Sequence, residues 1–139
     1  MLVKKLDENY FIRIDRGEEI VQKVKEFCSE YKVESGLISG LGSVTDAELG
    51  LFNLENKEYL KKEFNGIFEI ASMNGNISSM NGQPYLHIHA VLSDSQCNTY
   101  GGHFAKGVVG ATCEILVTPF NGDVGRFFSD EIGLNLLDI

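Results

Sequence analysis

The stretch "EEIVQKVKEFCSEYKVESGLISGLGSV", residues 18–44, decides the fold, because the hydrophobic period changes inside it. Through its first half the apolar positions are Ile20, Val21, Val24, Phe27, Cys28 and Tyr31. They fall at i, i+1, i+4, i+7, i+8 and i+11, which makes one stripe along a helix. Asp15, three residues before Glu18, supplies the pattern of a capping box. From Ser35 onward the helical stripe stops. "SGLISGLGSV" is apolar and punctuated by Gly36, Gly40 and Gly42, and reads as a buried strand whose glycines serve turns or close strand packing. It has no GxGxxG or GK[ST] pattern and leads into strands rather than a helix, which argues against a phosphate loop.

On either side of this stretch the signals are those of strands. Upstream, "NYFIRIDRG" alternates, with Ile12 and Ile14 on one side and Phe11 and Arg13 on the other. Downstream, "TDAELGLFNL" puts Ala47, Leu49 and Leu51 on one face, and "ENKEY" makes a charged turn. In the next segment Phe68 and Ile70 share one face, and Ile67, Glu69, Ala71 and Met73 share the other. "PYLHIHAVLSD" is a strand, a further strand lies near Val108 to Val117, and "NGDVGRFF" reads as a turn and a short last strand. The apolar tail "GLNLLDI" packs on the core or on a neighbouring subunit. One main helix near the N-terminus, followed by consecutive strands, predicts an α+β fold with a largely antiparallel sheet in a single domain spanning 1–139.

Composition narrows the partners. The net charge is −8, and after Glu63 the only Lys and Arg residues are Lys106 and Arg126. Duplex DNA is bound largely through Lys and Arg neutralising phosphates, and no basic stripe is present here. Three widely spaced cysteines, Cys28, Cys97 and Cys113, fit a reducing compartment rather than a disulfide framework. "MLVKKLDENYF" carries charge without an apolar stretch, so it reads as no secretion signal. No apolar run reaches the ~18 residues of a spanning helix. The expected location is the cytoplasm, with no membrane partner.

The chemistry concentrates in "PYLHIHAVLSDSQCNTYGGHF", residues 84–104, which holds every histidine of the chain: His87, His89 and His103. Strand alternation puts Leu86, Ile88, Ala90 and Leu92 on one face, and His87, His89, Val91 and Ser93 on the other. His87 and His89 then stand about 6–7 Å apart at Cα, close enough for both rings to converge on one cation. Gly101 and Gly102 allow a sharp turn or a close strand approach that returns His103 to the pair. Three histidines with one open position form a catalytic zinc arrangement. Glu69, Asp94 and Glu114 are the candidate carboxylates for a fourth ligand, a supporting hydrogen bond or a general base. Cys97 and Cys113 are competing ligands, although Cys113, within "VVGATCEILV", suits a buried inert thiol. The residues alone also fit a pair of strand histidines facing water. Ser35 and Ser43 belong to no visible Ser–His–Asp order.

Three segments together resemble the PPC domain family, named for plants and prokaryotes, in its short single-domain form. They are "GLISGLGSVTDAELGLF", "FNGIFEIASMNGNIS", and "HIHAVLSD" with "GGHFAKGVVGATCEI". The resemblance covers nearly the whole chain. It implies a large, buckled, mixed sheet, a homotrimer, and a divalent metal, expected to be zinc, at His87, His89 and His103. It also implies a fold-level likeness to acetolactate decarboxylase, whose zinc sits on histidines. In plants the domain accompanies AT-hooks, and this chain contains no Arg-Gly-Arg-like hook. It also has Ile67 where a basic residue is common in the family, which speaks against an anion-binding role there. Three functions compete: a metal-binding trimer acting as an enzyme on an unidentified small molecule, a DNA-associated regulator, and a trimeric interaction scaffold.

Overall fold

The computed structural model describes residues 1–139. The chain opens with a strand pair, β1 (Leu2–Leu6) and β2 (Asn9–Asp15), joined by a tight turn in which Asp7 takes φ 51°. β1 is mostly exposed, with no buried face to mark it in the sequence. In β2 the expected alternation holds: Ile12 and Ile14 are buried and Phe11 is exposed.

The single helix, α1 (Ile20–Tyr31), buries Ile20, Val24, Phe27 and Cys28. Only half of the expected capping box forms, the bond from Asp15 N–H to Glu18, and it lies ahead of the helix start. Glu19 is the N-cap, and its carboxylate accepts from the backbone N–H groups of Val21 and Gln22. The same carboxylate accepts from Gly107 N–H at 2.9 Å, so the cap also ties the helix to a distant strand. Glu18 instead accepts from Asp15 N–H and from the terminal amine of Met1. The helix ends at Lys32, in the left-handed region at φ 57°.

Four long strands follow: β3 (Gly36–Asn53), β4 (Glu58–Met80), β5 (Gln83–Ser93) and β6 (Thr99–Pro119). The sheet order is β1-β2-β6-β3-β4-β5, and β5 pairs a second time with the start of β6. Strands β3 to β6 therefore close on one another and the sheet buckles. Every pairing is antiparallel, so the mixed sheet implied by the resemblance resolves to an antiparallel one. The consecutive pairs β1–β2, β3–β4, β4–β5 and β5–β6 are joined by short turns, which allow only antiparallel neighbours, and β6 runs antiparallel between β2 and β3.

A bulge changes one predicted face. Ile70 pairs with Leu92 and Ser72 with Val91, leaving Ala71 as an extra residue. One inserted residue reverses the alternation beyond it. Met73 is thereby fully buried alongside Ile70, rather than sharing the outer face of Ile67, which stays 76% exposed.

α1 packs against β5 and β6, and its buried residues share one core with Ile88, Leu92 and Ile115. The opposite face carries Leu37, Asn76 and His87 in one cross-strand row. The apolar tail forms a second, two-stranded sheet from β7 (Gly125–Ser129) and β8 (Leu134–Asp138). This hairpin is tied to β4 by a hydrogen bond from Ser79 N–H to the Val124 carbonyl. No helix is long and apolar enough to cross a membrane.

Candidate metal centre

β5 supplies His87 and His89 two residues apart, on the face away from Ile88 and Ala90, which are buried. β6 returns antiparallel beside it and sets His103 directly opposite His89. Directly paired residues of an antiparallel ladder project to the same side, so register alone gathers the three rings. Ring centroids are 5.1 Å apart for His87–His89, 5.4 Å for His87–His103 and 5.7 Å for His89–His103. One nitrogen from each ring lies within 4.8 Å of the other two.

The double glycine works by close approach, not by a turn. Both residues lie inside β6, and a Cβ on Gly102 would stand 2.9 Å from the Gly50 carbonyl oxygen. The turn itself is Asp94–Asn98, where Cys97 adopts φ 62° and is exposed. Asp94 organises that turn. Its carboxylate accepts from the backbone N–H groups of Gln96 and Asn98, from Asn98 Nδ2 and from the Tyr100 hydroxyl. Glu69 is exposed opposite Ser93, and Glu114 pairs with Arg13 and Leu41, both away from the histidines. The cluster thus contains three imidazoles, with none of the three candidate carboxylates and neither candidate cysteine. Cys113 is fully buried, and burial pushes its thiol up to about 12.

The environment favours the neutral form of His103 and His87. Burial, followed by the neighbouring His87, His89 and Lys61, lowers the pKa of His103 to about 4. Burial lowers that of His87 too, with smaller contributions from His89 and Arg126. Neutral imidazole is the form that ligates a metal. His103 Nδ1 is buried and has no hydrogen-bond partner within the protein. A buried polar nitrogen without a partner is costly, and in its unprotonated form a bound cation would satisfy it. The donor set fits a divalent metal, since imidazole nitrogens suit zinc, copper, iron and nickel alike and three of them leave coordination open.

The C-terminal hairpin completes the surroundings, a role its sequence pattern did not reveal. Arg126 of β7 donates from Nε to Ser78 Oγ, from Nη2 to Asn76 Oδ1 and from Nη1 to the Asn135 carbonyl. Its guanidinium lies 4.6 Å from the Tyr85 ring centroid. Tyr59 packs against His103 with ring centroids 5.0 Å apart. Between these side chains and the hairpin is a cavity of about 260 Å³ bordered by His87 and His103. Arg126 and the tail could have been suspected only from the isolation of that arginine in a basic-poor half of the chain.

Comparison with known proteins agrees with this architecture. A proposed DNA-binding protein from Bacteroides thetaiotaomicron superposes with a TM-score of 0.96 at 34% identity, covering 99% of this chain and 96% of that one. A metal-containing protein from Archaeoglobus fulgidus gives a TM-score of 0.89 at 33% identity, covering 100% and 99%. The expected fold-level likeness to acetolactate decarboxylase holds for the enzyme of Bacillus subtilis subspecies spizizenii, with a TM-score of 0.52 at 16% identity over 79% of this chain and 52% of that one. Among curated proteins the Bifunctional protein GlmU of Synechococcus sp. (strain JA-3-3Ab) is 27% identical over 110 residues, which cover 78% of this chain. The match spans only 16% of that relative's length. The Plants and Prokaryotes Conserved (PCC) domain model, the family also abbreviated PPC, matches residues 1–121, and the chain belongs to that family.

Proposed function

We propose that this protein is a homotrimer that binds one divalent metal per chain, with zinc as the proposed ion, through His87, His89 and His103, and acts on a small molecule in the adjoining cavity. The observation that carries the reading is the convergence of three imidazole nitrogens within 4.8 Å, one ring having a buried, partnerless Nδ1. The metal-containing relative from Archaeoglobus fulgidus supports it. A metal at three imidazoles would keep a position for polarising a carbonyl or activating a water. The protein's own residues would orient the ligand: Arg126 and Asn76 by hydrogen bonding, Tyr59 and the β8 leucines by excluding water. None of Glu69, Asp94 and Glu114 belongs to the histidine cluster, which leaves no general base among them at the metal.

The trimer is supported by the histidine face itself. Phe11, Leu37 and Leu41 lie there 51%, 52% and 57% exposed, close around Leu116. Exposed apolar side chains gathered in this way would suit burial against another subunit. Three free cysteines support a reducing, cytoplasmic location. X-ray absorption on zinc-loaded protein tests the site: three nitrogen ligands at about 2.0–2.1 Å support it, and oxygen- or sulfur-dominated coordination refutes it.

The second reading, a DNA-associated protein, draws on the relatives from Bacteroides thetaiotaomicron and Ralstonia eutropha, both described as proposed DNA-binding proteins. The net charge of −8 opposes it. Duplex binding that weakens steeply with salt would favour it, and no binding at low salt would exclude it. A scaffold role is separated from catalysis by metal removal that lowers thermal stability with no turnover of any small molecule.

A further inference from the structure

The cavity beside the histidines contains one full positive charge and no negative one. That charge is Arg126, half-buried under the tail hairpin. In a chain with 20 acidic residues, none pairs with it: every ion pair lies elsewhere. A guanidinium has five N–H donors, and three of Arg126's are engaged, all by neutral oxygens of Ser78, Asn76 and Asn135. Two donors have no acceptor within the protein. One face of the guanidinium rests on Tyr85. Partly desolvated cations are normally paired, and the planar guanidinium matches a carboxylate in particular.

The rest of the lining says what the anion carries. Leu134, Leu136 and Leu137 border the same cavity, and His87 and His103 close another side. A ligand with a carboxylate at Arg126 and a short apolar body against the β8 leucines would reach the imidazoles with its far end. β7 begins at Gly125 and β8 at Leu134, so the arginine and these leucines come from the C-terminal hairpin, beyond residue 121 where the family-model match ends.

We propose that Arg126 is the anion-binding residue of this cavity and that the site takes a small organic carboxylate, held between the C-terminal hairpin and the three histidines. This rests on the proposed small-molecule site, but the anchoring charge belongs to the protein and requires no metal.

The test is calorimetric titration of acetate, butyrate, neutral butyramide and inorganic phosphate into metal-free and zinc-loaded protein. Butyrate binds both forms, more tightly than acetate, and butyramide does not bind. Arg126→Gln weakens butyrate at least tenfold, and Arg126→Lys recovers only part of the loss because the fork is absent. Leu134→Trp, which fills the cavity without touching the guanidinium, also abolishes binding and carries the test if the arginine variants fail to fold. Equal binding of butyramide, binding of phosphate alone, or unchanged affinity in folded Arg126→Gln overturns the proposal, as does unchanged affinity in Leu134→Trp where the arginine variants do not fold. Butyrate binding by protein that takes up no zinc upholds the anion site and refutes the metal reading. Zinc uptake without carboxylate binding does the reverse.

Discussion

His103 on β6 is the direct cross-strand partner of His89 on β5, and their ring centroids lie 5.7 Å apart. This pairing makes the triad a property of strand register. A shift of one residue would send His103 to the opposite face. Gly102 guards the register, because a Cβ there would meet the Gly50 carbonyl oxygen at 2.9 Å and the Leu49 side chain at 3.4 Å. Gly102→Val is expected to destabilise the fold by about 1–3 kcal/mol, as overpacking does. It should weaken metal binding more than an equally destabilising substitution in α1. Denaturant melts combined with zinc titration make the comparison, and intact zinc affinity in a destabilised variant would count against register control.

Acid should destabilise the metal-free protein by a specific route. The folded state holds His103 at about 4 and lowers His87, against an ordinary value of 6.5. Between 6.5 and about 4 the unfolded chain binds more protons than the folded one, so stability falls as pH falls through that window. Above 6.5 this contribution is fully present. Thermal melts of metal-free protein from pH 7.5 to 4 should show the decline, and His103→Ala should flatten it. A parallel decline in wild type and variant would assign the effect to other groups.

The apolar side of the histidine face predicts an assembly. Leu41→Glu places a charge where Leu41 is 57% exposed beside Leu37. Light scattering should give a mass of three chains for the wild type and one chain for the variant, with the secondary structure retained. A wild-type monomer at micromolar concentration would remove the trimer from the account.

Tyr85→Ala takes away the ring under Arg126 and the hydroxyl contacted by Asn135 Nδ2 at 3.4 Å. A partly desolvated cation–π contact contributes about 1–2 kcal/mol. The hairpin should loosen while the six-stranded sheet stays closed. Hydrogen exchange should rise in residues 125–138 and remain unchanged in the Ile115 region of β6. Uniformly faster exchange would mean that the hairpin is not a separate cover.

The sequence was informative wherever one face was buried. The stripe from Ile20 to Cys28 and the alternation from Leu86 to Ser93 both reappear in the structure, because each segment has water on one side only, whereas Tyr31 at the helix end is exposed. β1 escaped notice because nearly all its residues are exposed. Met73 was placed on the wrong face because a single bulged residue, Ala71, has no signature in a pattern of period two. His87 and His89 could be set side by side from alternation, whereas the placement of His103 depended on a hairpin register that no local pattern states. Arg126 was invisible for a similar reason. Its partners Ser78 and Asn76 lie 48 and 50 positions away in the chain, and only the folded tail brings them together.

The most direct measurement of the central claim is metal stoichiometry after stripping and reloading with zinc at pH 7.5. Wild-type protein and the single variants His87→Ala, His89→Ala and His103→Ala would be measured side by side, with Glu69→Ala as a control outside the cluster. One zinc per chain is expected in the wild type and the control, with at least a tenfold loss of affinity in each histidine variant. Zinc retained with unchanged affinity in any one of the three, or no uptake by the wild type, would contradict the claim.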